Sequence, residues 1–437
     1  MSNSNNKIST DAYKGVRDFY PEDLRRRRYL EKIMQKTVES FGYEAVDASI
    51  LEPAALYDAK SGEELAGEQS YRFTDRGDRE VMLRPEMTPS IARMVAAQAK
   101  TLSFPVRWYA IPNVFRYERP QRGRLREHWQ LNVDLFGIED SIADTEIISV
   151  AHELMKNLGA AEDDFVIHIS SRSLFSDFCT DVLKIDDDLY ADLAGLIDKK
   201  TKIDKDSFTG AVHDLLSEDQ AEGLFTYLSI TDTEQMNETF PMLAKPLNKL
   251  DSILESLANR NIGNAVFDPN LIRGIAYYTG VVFEIFDTHP QNNRSLFGGG
   301  RYDDLMEVFD VDPVPAVGFG AGDVTLADFM DAHELWPDLA SHLDVDICLI
   351  DTKKHSGFGY EIAGFLRQVK MNTRVNISGK NIGTQLKNAD KDGANYVIVI
   401  GDDELESEKV TIKELSSGEE ATVKKADIAD FFINEEE

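Results

Sequence analysis

Cysteine is nearly absent: Cys179 and Cys348 are the only two in 437 residues, and neither sits in a CxxC or Cys/His ligand spacing. That excludes a disulfide framework and a structural zinc site, and it predicts a reducing, cytoplasmic setting. No apolar run reaches the roughly eighteen residues a membrane helix needs. The opening MSNSNNKIST also lacks the basic and apolar regions of an export signal. The chain is therefore expected to be soluble, with no membrane partner. Basic charge is scarce as well, 47 Lys and Arg against 78 Asp and Glu, for a net charge of −31. A mean field of that sign repels polyanions, so a nucleic-acid partner would have to be met by a local basic patch.

What remains is ordinary globular material, with 42% hydrophobic and 29% charged residues, which excludes collagen-like, mucin-like and wholly disordered chains. At roughly 150 residues per domain, the length predicts about three domains. Pro21 followed by Leu24, Leu30, Ile33, Met34, Val38 and Phe41 at helical spacing predicts a helix that Gly42 ends. Arg25 to Arg28 fall inside it and read as a solvated helix face, with a partner or RNA contact as the alternative. YRFTD and REVMLRP flank Arg76-Gly77-Asp78 and predict a β-hairpin. Thr88 followed by Pro89 has the form of an N-cap and first helical residue, which puts Glu86 where a strand hands over to a helix. Residues 105–136 read as successive antiparallel strands, and 144–158 as an amphipathic helix capped by Asp144 and stopped by Gly159.

From about 180 to 260 the texture becomes helix-periodic and glycine-poor, then strand-like, glycine-rich sequence resumes over 265–322. This predicts an α+β domain over 1–337 built on an antiparallel sheet and interrupted by a helical insertion at 180–260. Beyond Pro337 the strands DVDICLID, TRVNIS, YVIVIG and KVTIKEL alternate with helices near 358–369 and 380–388. A separate small α/β domain over 343–437 is expected there.

The most informative stretch is FRYERPQRGRLREHWQLNVDLFG, residues 115–137, where Arg116, Arg119, Arg122, Arg124 and Arg126 fall within eleven positions of a strongly acidic chain. Five guanidinium groups in that setting call for an anionic ligand, because Arg binds phosphate bidentately and stays charged. The Pro120 to Gly123 core is turn-like, so Arg116 and Glu118 stand on one strand and Arg126 onward on its partner. On the second strand Trp129, Leu131, Val133 and Leu135 face one side, and Arg126, His128, Gln130, Asn132 and Asp134 the other. A solvated sheet face would look the same in isolation; the neighbouring arginines favour a ligand-binding row.

A second cluster comprises LIRGIAYYTGVVFE (271–284), LFGGGRYDDL (296–305) and PAVGFGAG (315–322). Glycines in strand-like runs admit another backbone or a ligand at close range, and a bulge-rich packed sheet is the competing reading. GFGAG is not GxGxxG and has no acid at ribose-binding distance, so a dinucleotide fold is not indicated.

These motifs, from GVRDFYPED near residue 15 through LRPEMTPS, FRYERPQRGR, RGIAYYTG and GGGRYDDL, resemble the histidyl-tRNA synthetases, a family of class II aminoacyl-tRNA synthetases. The resemblance implies a class II catalytic domain with an antiparallel sheet, a helical insertion, a C-terminal anticodon-binding domain and a homodimer. It implies ATP-dependent ligation in two steps: histidine and ATP to histidyl-adenylate and pyrophosphate, with Mg2+ accompanying ATP, then transfer to the 3′ end of histidine tRNA. Attack of a carboxylate on phosphorus brings two anions together, which is why fixed guanidinium groups and magnesium are needed.

Matched by motif, Arg116 and Arg273 are the implied catalytic arginines at the α-phosphate. ATP is met by Arg116, Glu118 and Arg124. Histidine is met by Glu86 and Thr88 at its amine, by Arg273 at its carboxylate, and by Gln130, Asp134 and Tyr278, with Tyr277 nearby, at its side chain. The tRNA acceptor stem is met by Arg119, Gln121 and Arg122. No protein metal ligand is implied. Three departures from the family pattern stand out: Ser49 at the first-motif proline, Thr325 at the third-motif arginine, and Ala276 between Arg273 and the tyrosine pair. With Thr325 in place of arginine, Arg301 is the expected substitute at the γ-phosphate.

The last domain is acidic: residues 402–437 hold thirteen acids against Lys409, Lys413, Lys424 and Lys425. Anticodon reading would then use another face, around Lys353, Lys354, Lys370, Arg374, Lys380 and Lys387, since single-stranded bases can be read by stacking and edge contacts. The rival from another class is the synthetase-like regulatory subunit of ATP phosphoribosyltransferase, a histidine sensor. It generally lacks the C-terminal domain and has less reason to keep Arg116, Arg124 and Arg273. A plain nucleotide-binding module would explain the arginines but neither Asp134 nor RGIAYYTG.

Overall fold

A computed structural model of the chain describes residues 8–59, 67, 69–200, 203–272, 277–292, 294–339 and 343–435. The chain divides into two units, Met1–Trp336 and Pro337–Glu437.

In the first unit, helix α1 (Pro21–Ser40) opens on proline with Glu22 and Asp23 in its first turn, where negative charge meets the positive end of the helix dipole. It buries Leu30, Met34, Thr37 and Val38 and stops before Gly42, whose φ of 81° suits glycine. The arginine run on this helix is not simply solvated. Arg27 stacks over Trp129 and Phe19 at 4.3 and 5.3 Å, and Arg26 lies 4.9 Å over Trp336 while pairing with Asp331. Half of the run is held by aromatic rings that are distant in sequence.

Strand β1 (Glu44–Ala45) is followed by β2 (Leu51–Pro53), α2 (Ala55–Asp58), β3 (Tyr71–Thr74) and β4 (Glu80–Leu83). The expected hairpin is β3–β4, the edge of a three-stranded sheet ordered β2-β4-β3. Its turn is held by the Asp75 carboxylate, which accepts the Gly77 and Arg79 N–H groups, with Asp78 at a φ of 57°. Helix α3 (Thr88–Gln98) follows, but Thr88 does not cap it. Met87 occupies the N-cap, and the Thr88 hydroxyl accepts from Asn132 Nδ2 at 3.3 Å instead.

Next come β5 (Val106–Ala110), β6 (Asn113–Phe115), β7 (Glu127–Phe136), α4 (Ile142–Asn157), β8 (Phe165–Ser171) and α5 (Arg172–Asp177). Helix α4 starts two residues earlier than expected, and Asp144 is no cap. It lies buried in the first turn, where its carboxylate takes Arg301. Helices α6 (Asp187–Asp198), α7 (Lys205–Leu215), α8 (Glu218–Ser229), α9 (Thr233–Thr239) and α10 (Ala244–Ala258) fill the helical stretch. Asp186, Asp204, Ser217 and Asp232 each accept a backbone N–H at the start of one of them. Caps of this kind are worth about 1 kcal/mol each, so part of the chain's acidity has a local structural use.

The unit ends with β9 (Ala265–Phe267), β10 (Val281–Asp287), β11 (Ser295–Arg301), β12 (Ala316–Gly322) and α11 (Asp323–Ala332). Its main sheet runs β1-β5-β7-β12-β11-β10-β8-β9, with β6 added on β7. Pairing is antiparallel except at the ends, β1 with β5 and β8 with β9. One face packs Leu131, Val133 and Leu135 into a core that continues through α4 to Leu193, Leu224, Tyr227 and Leu257 of the helical stretch. The other face carries a smaller core of Met87, Ile91, Val95, Val106, Phe136, Tyr277, Tyr302 and Leu305, which seats α3 over the sheet.

The second unit is a five-stranded sheet ordered β14-β13-β15-β16-β17. In chain order it contains β13 (Val345–Leu349), α12 (Thr352–Gln368), β14 (Thr373–Asn376), α13 (Ile382–Lys391), β15 (Tyr396–Ile400), α14 (Asp402–Ser407), β16 (Lys409–Glu414), β17 (Glu420–Lys424) and α15 (Ile428–Glu435). The first three strands pair in parallel and β13 is buried throughout, as a strand covered on both faces should be. Strand β17, which makes a hairpin with the expected β16, and the two short helices α14 and α15 go beyond the sequence expectation.

Candidate active site

The alternation read from β7 holds, but its polar face is not solvated: Gln130, Asn132 and Asp134 are all buried. Register explains the space beside them. On β12, Gly322 lies opposite Gln130, Gly320 opposite Asn132 and Gly318 opposite Asp134. A row of hydrogen-bonding side chains thus runs beside a row with none. The two rows are in close contact. A Cβ at Gly318 would stand 2.4 Å from the Val133 carbonyl oxygen and 2.6 Å from the Tyr302 hydroxyl, and one at Gly320 would stand 2.5 Å from Gln130 Nε2.

The polar row is wired together. Gln130 Nε2 donates to Asn132 Oδ1 at 3.0 Å, and Asn132 Nδ2 donates to the Thr88 hydroxyl. At its far end the Tyr302 hydroxyl donates to Asp134 Oδ1. Asp134 Oδ2 is buried and, among the described residues, accepts no hydrogen bond. A buried acceptor left open is costly unless a ligand fills it. Burial pushes the Asp134 carboxyl up to about 7, aided by the nearby Glu86 charge and opposed by the Tyr302 and Thr88 hydroxyls.

Above this row the strand-to-helix turn brings in Glu86, which is buried and accepts from Tyr277 Oη at 2.7 Å. The Glu86 backbone carbonyl accepts from Tyr57 Oη at 3.2 Å. Tyr278 stands beside Tyr277 with ring centres 5.3 Å apart, and 6.3 Å from Tyr302. Three tyrosine rings, a glutamate and an aspartate therefore meet within one pocket. Arg273 and Ala276 lie outside the described residues.

The arginine-rich loop continues the β6–β7 ladder, since Arg116 N–H donates to the Arg126 carbonyl. Arg116 Nε donates to the Pro85 carbonyl at 2.9 Å, tying this strand to the Glu86 turn. Arg124 pairs with Glu118 at 3.2 Å. Gln121 and Arg124 close the loop in a two-way backbone pairing around Gly123, whose φ is 77°. Arg119, Gln121 and Arg122 are exposed at its tip. Arg126 works for the scaffold: it stacks 4.1 Å over Tyr117, and its Nε donates to the Glu118 carbonyl. His128, on the same face as Gln130, is held down to about 3 by burial and by the Arg116 charge, so it is a neutral imidazole at neutral pH.

The expected ATP contact at Arg301 is not supported by the geometry. Arg301 is 1% exposed, and its guanidinium donates to Asp144, Asp303 and the Ile138 and Asp140 carbonyls, which occupies all five N–H groups. Thr325, at the third-motif position, donates to the Gly322 carbonyl at 3.1 Å and so seals the start of α11. Beside it Asp323 is buried, accepting from the Trp129 N–H and from Arg17 at 2.7 Å. Ser49 accepts the Leu51 N–H.

An open, buried acid within a polar row, an acid at a strand-to-helix turn and a cluster of arginines on the adjoining loop together suit an amino acid and a phosphorylated nucleotide. The sequence comparisons agree. A histidyl-tRNA synthetase family model matches residues 15–324, and an anticodon-binding domain model matches 344–435. The chain belongs to the histidyl-tRNA synthetase family. It is 42% identical over 419 residues to the histidine–tRNA ligase of Leptospira biflexa, covering 95% of each chain. It is 36% identical over 417 residues to that of Haloquadratum walsbyi, covering 94% of this chain and 95% of the relative. The crystal structure of histidyl-tRNA synthetase from Nostoc sp. PCC 7120 has the same fold, with a TM-score of 0.80 at 21% identity, covering 98% of this chain and 100% of that one.

In the second unit, the basic residues considered for tRNA differ in their availability. Arg374 pairs with both Asp346 and Asp392, and Lys354 with Asp402, so these two are committed to the fold. Among the described residues no group of three or more His, Cys, Asp or Glu is arranged to hold a metal ion, and no helix is long and apolar enough to cross a membrane. Sequence reasoning missed Tyr302 as part of the site, and it placed Asn132 on the polar row without giving it a role. GGGRYDDL had pointed to the arginine, whereas the following tyrosine is the one that reaches the pocket.

Proposed function

We propose that this chain joins histidine to its tRNA, first activating histidine with ATP to histidyl-adenylate and pyrophosphate, then transferring it to the 3′ end of histidine tRNA. The observation that carries the reading is the register of Gln130, Asn132 and Asp134 against Gly322, Gly320 and Gly318, which sets no side chain from β12 against a buried acid that keeps one open oxygen. An imidazole carries an N–H at its edge, and the open carboxylate oxygen of Asp134 suits it. Asp134 accepts from the ring, with Gln130 and Tyr278 completing that end; Glu86 and Thr88 take the substrate ammonium, with Tyr277 orienting Glu86.

The histidine carboxylate attacks the α-phosphorus of ATP, and pyrophosphate leaves. Arg116, fixed by its bond to the Pro85 carbonyl, lies on the side of the cleft next to Glu86. With Arg273 it stabilises the charge that builds on the phosphoryl oxygens; losing one such donor typically costs on the order of 3 kcal/mol of barrier. Glu118 meets the adenine amino group, and Arg124, paired with Glu118 before substrate arrives, meets ATP. Arg301 has no part in this set. Magnesium accompanying ATP would lower the repulsion that the attacking carboxylate meets, and no residue of this chain is assigned to hold it.

In the second step a ribose hydroxyl of the tRNA end attacks the acyl carbon and AMP leaves. Arg119, Gln121 and Arg122 at the loop tip meet the acceptor stem, and the C-terminal domain meets the anticodon. The working form is a homodimer in the cytoplasm, as the family resemblance implies. The rival sensor reading would keep a histidine pocket without the chemistry. The test is ATP–pyrophosphate exchange with magnesium across all twenty amino acids, run on the wild type and on Arg273→Ala. Exchange with histidine alone, lost in Arg273→Ala, is the expected result. Histidine binding without exchange would overturn catalysis in favour of a sensor.

A further inference from the structure

Among the described residues, the phenol of Tyr302 makes a polar contact with Asp134 that the substrate-binding set leaves unused. We propose that Tyr302 is a positioning residue for histidine selection: by donating to Oδ1 of Asp134 it keeps that carboxyl an ionised acceptor whose remaining oxygen, Oδ2, takes an imidazole N–H. The inference rests on the reading of this pocket as the histidine site and deepens it.

The geometry carries the argument. Tyr302 and Asp134 are each 1% exposed and lie 168 positions apart, so the contact is built by the fold and no local turn provides it. The tyrosine cannot easily be anywhere else. Its ring is wedged 5.5 Å from Tyr277 and 6.4 Å from Phe136, and its backbone N–H donates to the Ala316 carbonyl at 2.8 Å. Gly318 is what lets it reach: a side chain there would stand 2.6 Å from the hydroxyl and 2.9 Å from Asp134 Oδ1. With one oxygen satisfied, the carboxylate presents a single open acceptor, Oδ2.

A buried acid without that donor would take up a proton, and a protonated carboxyl can no longer accept from the ring through both oxygens. The groups facing Asp134 are Tyr302 from the end of β11, Glu86 from the turn before α3, Tyr278, and Tyr43 ahead of β1. Its register partners, Trp108 on β5 and Gly318 on β12, have nothing that titrates. Tyr302 opposes proton uptake most, with the Thr88 hydroxyl second, whereas burial and the Glu86 charge favour it. Removing its hydroxyl should therefore shift the acid's titration upward without touching the substrate.

The experiment is the KM for histidine in ATP–pyrophosphate exchange from pH 6 to 9, for the wild type and Tyr302→Phe, with the KM for ATP as control. The ratio of the two enzymes' KM values removes the titration of histidine itself, which is common to both. That ratio should be about tenfold at pH 7 and fall to within about twofold at pH 9, with the ATP KM unchanged. In an Asp134→Asn background, where the acid that Tyr302 contacts is gone, Tyr302→Phe should leave no pH-dependent ratio. A ratio that is constant across pH, or one that appears equally in the ATP KM, would mean that Tyr302 only packs, and would overturn the proposal.

Should Tyr302→Phe fail to fold, ring-fluorinated tyrosine at 302 keeps the shape and makes the phenol a stronger donor. The rise in histidine KM should then move to lower pH; a rise left where it is in the wild type would overturn the proposal. A wild type whose exchange does not depend on histidine would instead sink the histidine reading of the pocket itself, which distinguishes the two failures.

Discussion

Arg301 and Asp144, 157 positions apart and each 1% exposed, form a buried ion pair in which Nε and Nη2 of the guanidinium both reach the carboxylate, at 2.9 and 2.8 Å. The pair bolts the end of β11 to the first turn of α4, and the backbone carbonyls of Ile138 and Asp140 complete the arginine's shell. Lys249 on α10 approaches the same carboxylate at 3.7 Å, which brings the helical stretch to this point. Its position makes it part of the frame beneath the pocket, one residue before Tyr302.

Removing one member of a buried pair strands the other, at a typical cost of 3–5 kcal/mol. Asp144→Ala should lose about that much, because among the described residues it leaves Arg301 with Asp303 as its one carboxylate partner. Arg301→Ala should lose somewhat less, since Lys249 remains to face Asp144. Urea unfolding of both variants checks this. The KM for ATP in the folded fraction should stay at the wild-type value, and a selective rise in it would return Arg301 to the phosphate site.

Asp134 should make the ligand-free protein more stable at low pH than at neutral pH. Its folded-state pKa, about 7, lies above its ordinary 3.8, so the folded chain holds the proton more tightly than the unfolded one. That contribution is fully present below the unfolded value and is lost as pH rises through about 7. Asp134→Asn, which cannot ionise, should therefore be the more stable protein at pH 8, by on the order of 1–3 kcal/mol, while binding histidine far more weakly. Thermal melts of both proteins at pH 5 and pH 8 test the sign: the gap between them should be clearly wider at the higher pH.

Much of this was legible because the relevant signals are periodic or clustered. Gln130, Asn132 and Asp134 recur at period two, and five arginines crowd one loop of an acidic chain; either pattern survives without knowledge of the fold. Thr88 and Asp144 were misread for one shared reason. Both stand where capping rules expect an N-cap, and those rules see only neighbours in sequence, whereas Asn132 and Arg301 claim the side chains from across the sheet. Tyr302 was overlooked because a single tyrosine after an arginine forms no pattern, and its partner lies 168 positions upstream. Long-range pairing is what a periodicity argument leaves out, and functional sites are where it departs most from local preference.

The glycine row makes a prediction that separates two kinds of crowding. At Gly318 an added Cβ meets the Val133 carbonyl oxygen at 2.4 Å, a backbone atom that moves only with the strand; at Gly320 it meets Gln130 Nε2 at 2.5 Å, the free end of a side chain. Overpacking of the rigid kind costs about 1–3 kcal/mol or more. Gly318→Ala should therefore lower stability and abolish histidine binding. Gly320→Ala should fold nearly as well as the wild type and raise the histidine KM by about tenfold through a displaced Gln130. Isothermal titration with histidine, alongside melting temperatures, distinguishes the two.

The loop tip should separate the two chemical steps. Arg119 is exposed on a turn whose geometry is set elsewhere: by the Gln121–Arg124 pairing, by Gly123 at a φ of 77°, and by Arg294, which donates to the Arg122 carbonyl at 3.0 Å and pairs with Asp328. Reversing its charge in Arg119→Glu leaves that frame intact, so histidine-dependent pyrophosphate exchange should be unchanged. The KM for tRNA should rise by roughly tenfold or more, because a phosphate contact is replaced by repulsion in a chain whose mean field already repels RNA. The salt dependence of tRNA binding should flatten by about one ion per arginine lost. Arg294→Ala provides the contrast. It removes the loop's support and leaves Arg119 in place, so it should weaken tRNA binding with less change in the salt slope. Equal slopes for the two variants would mean that Arg119 holds the loop and does not touch phosphate.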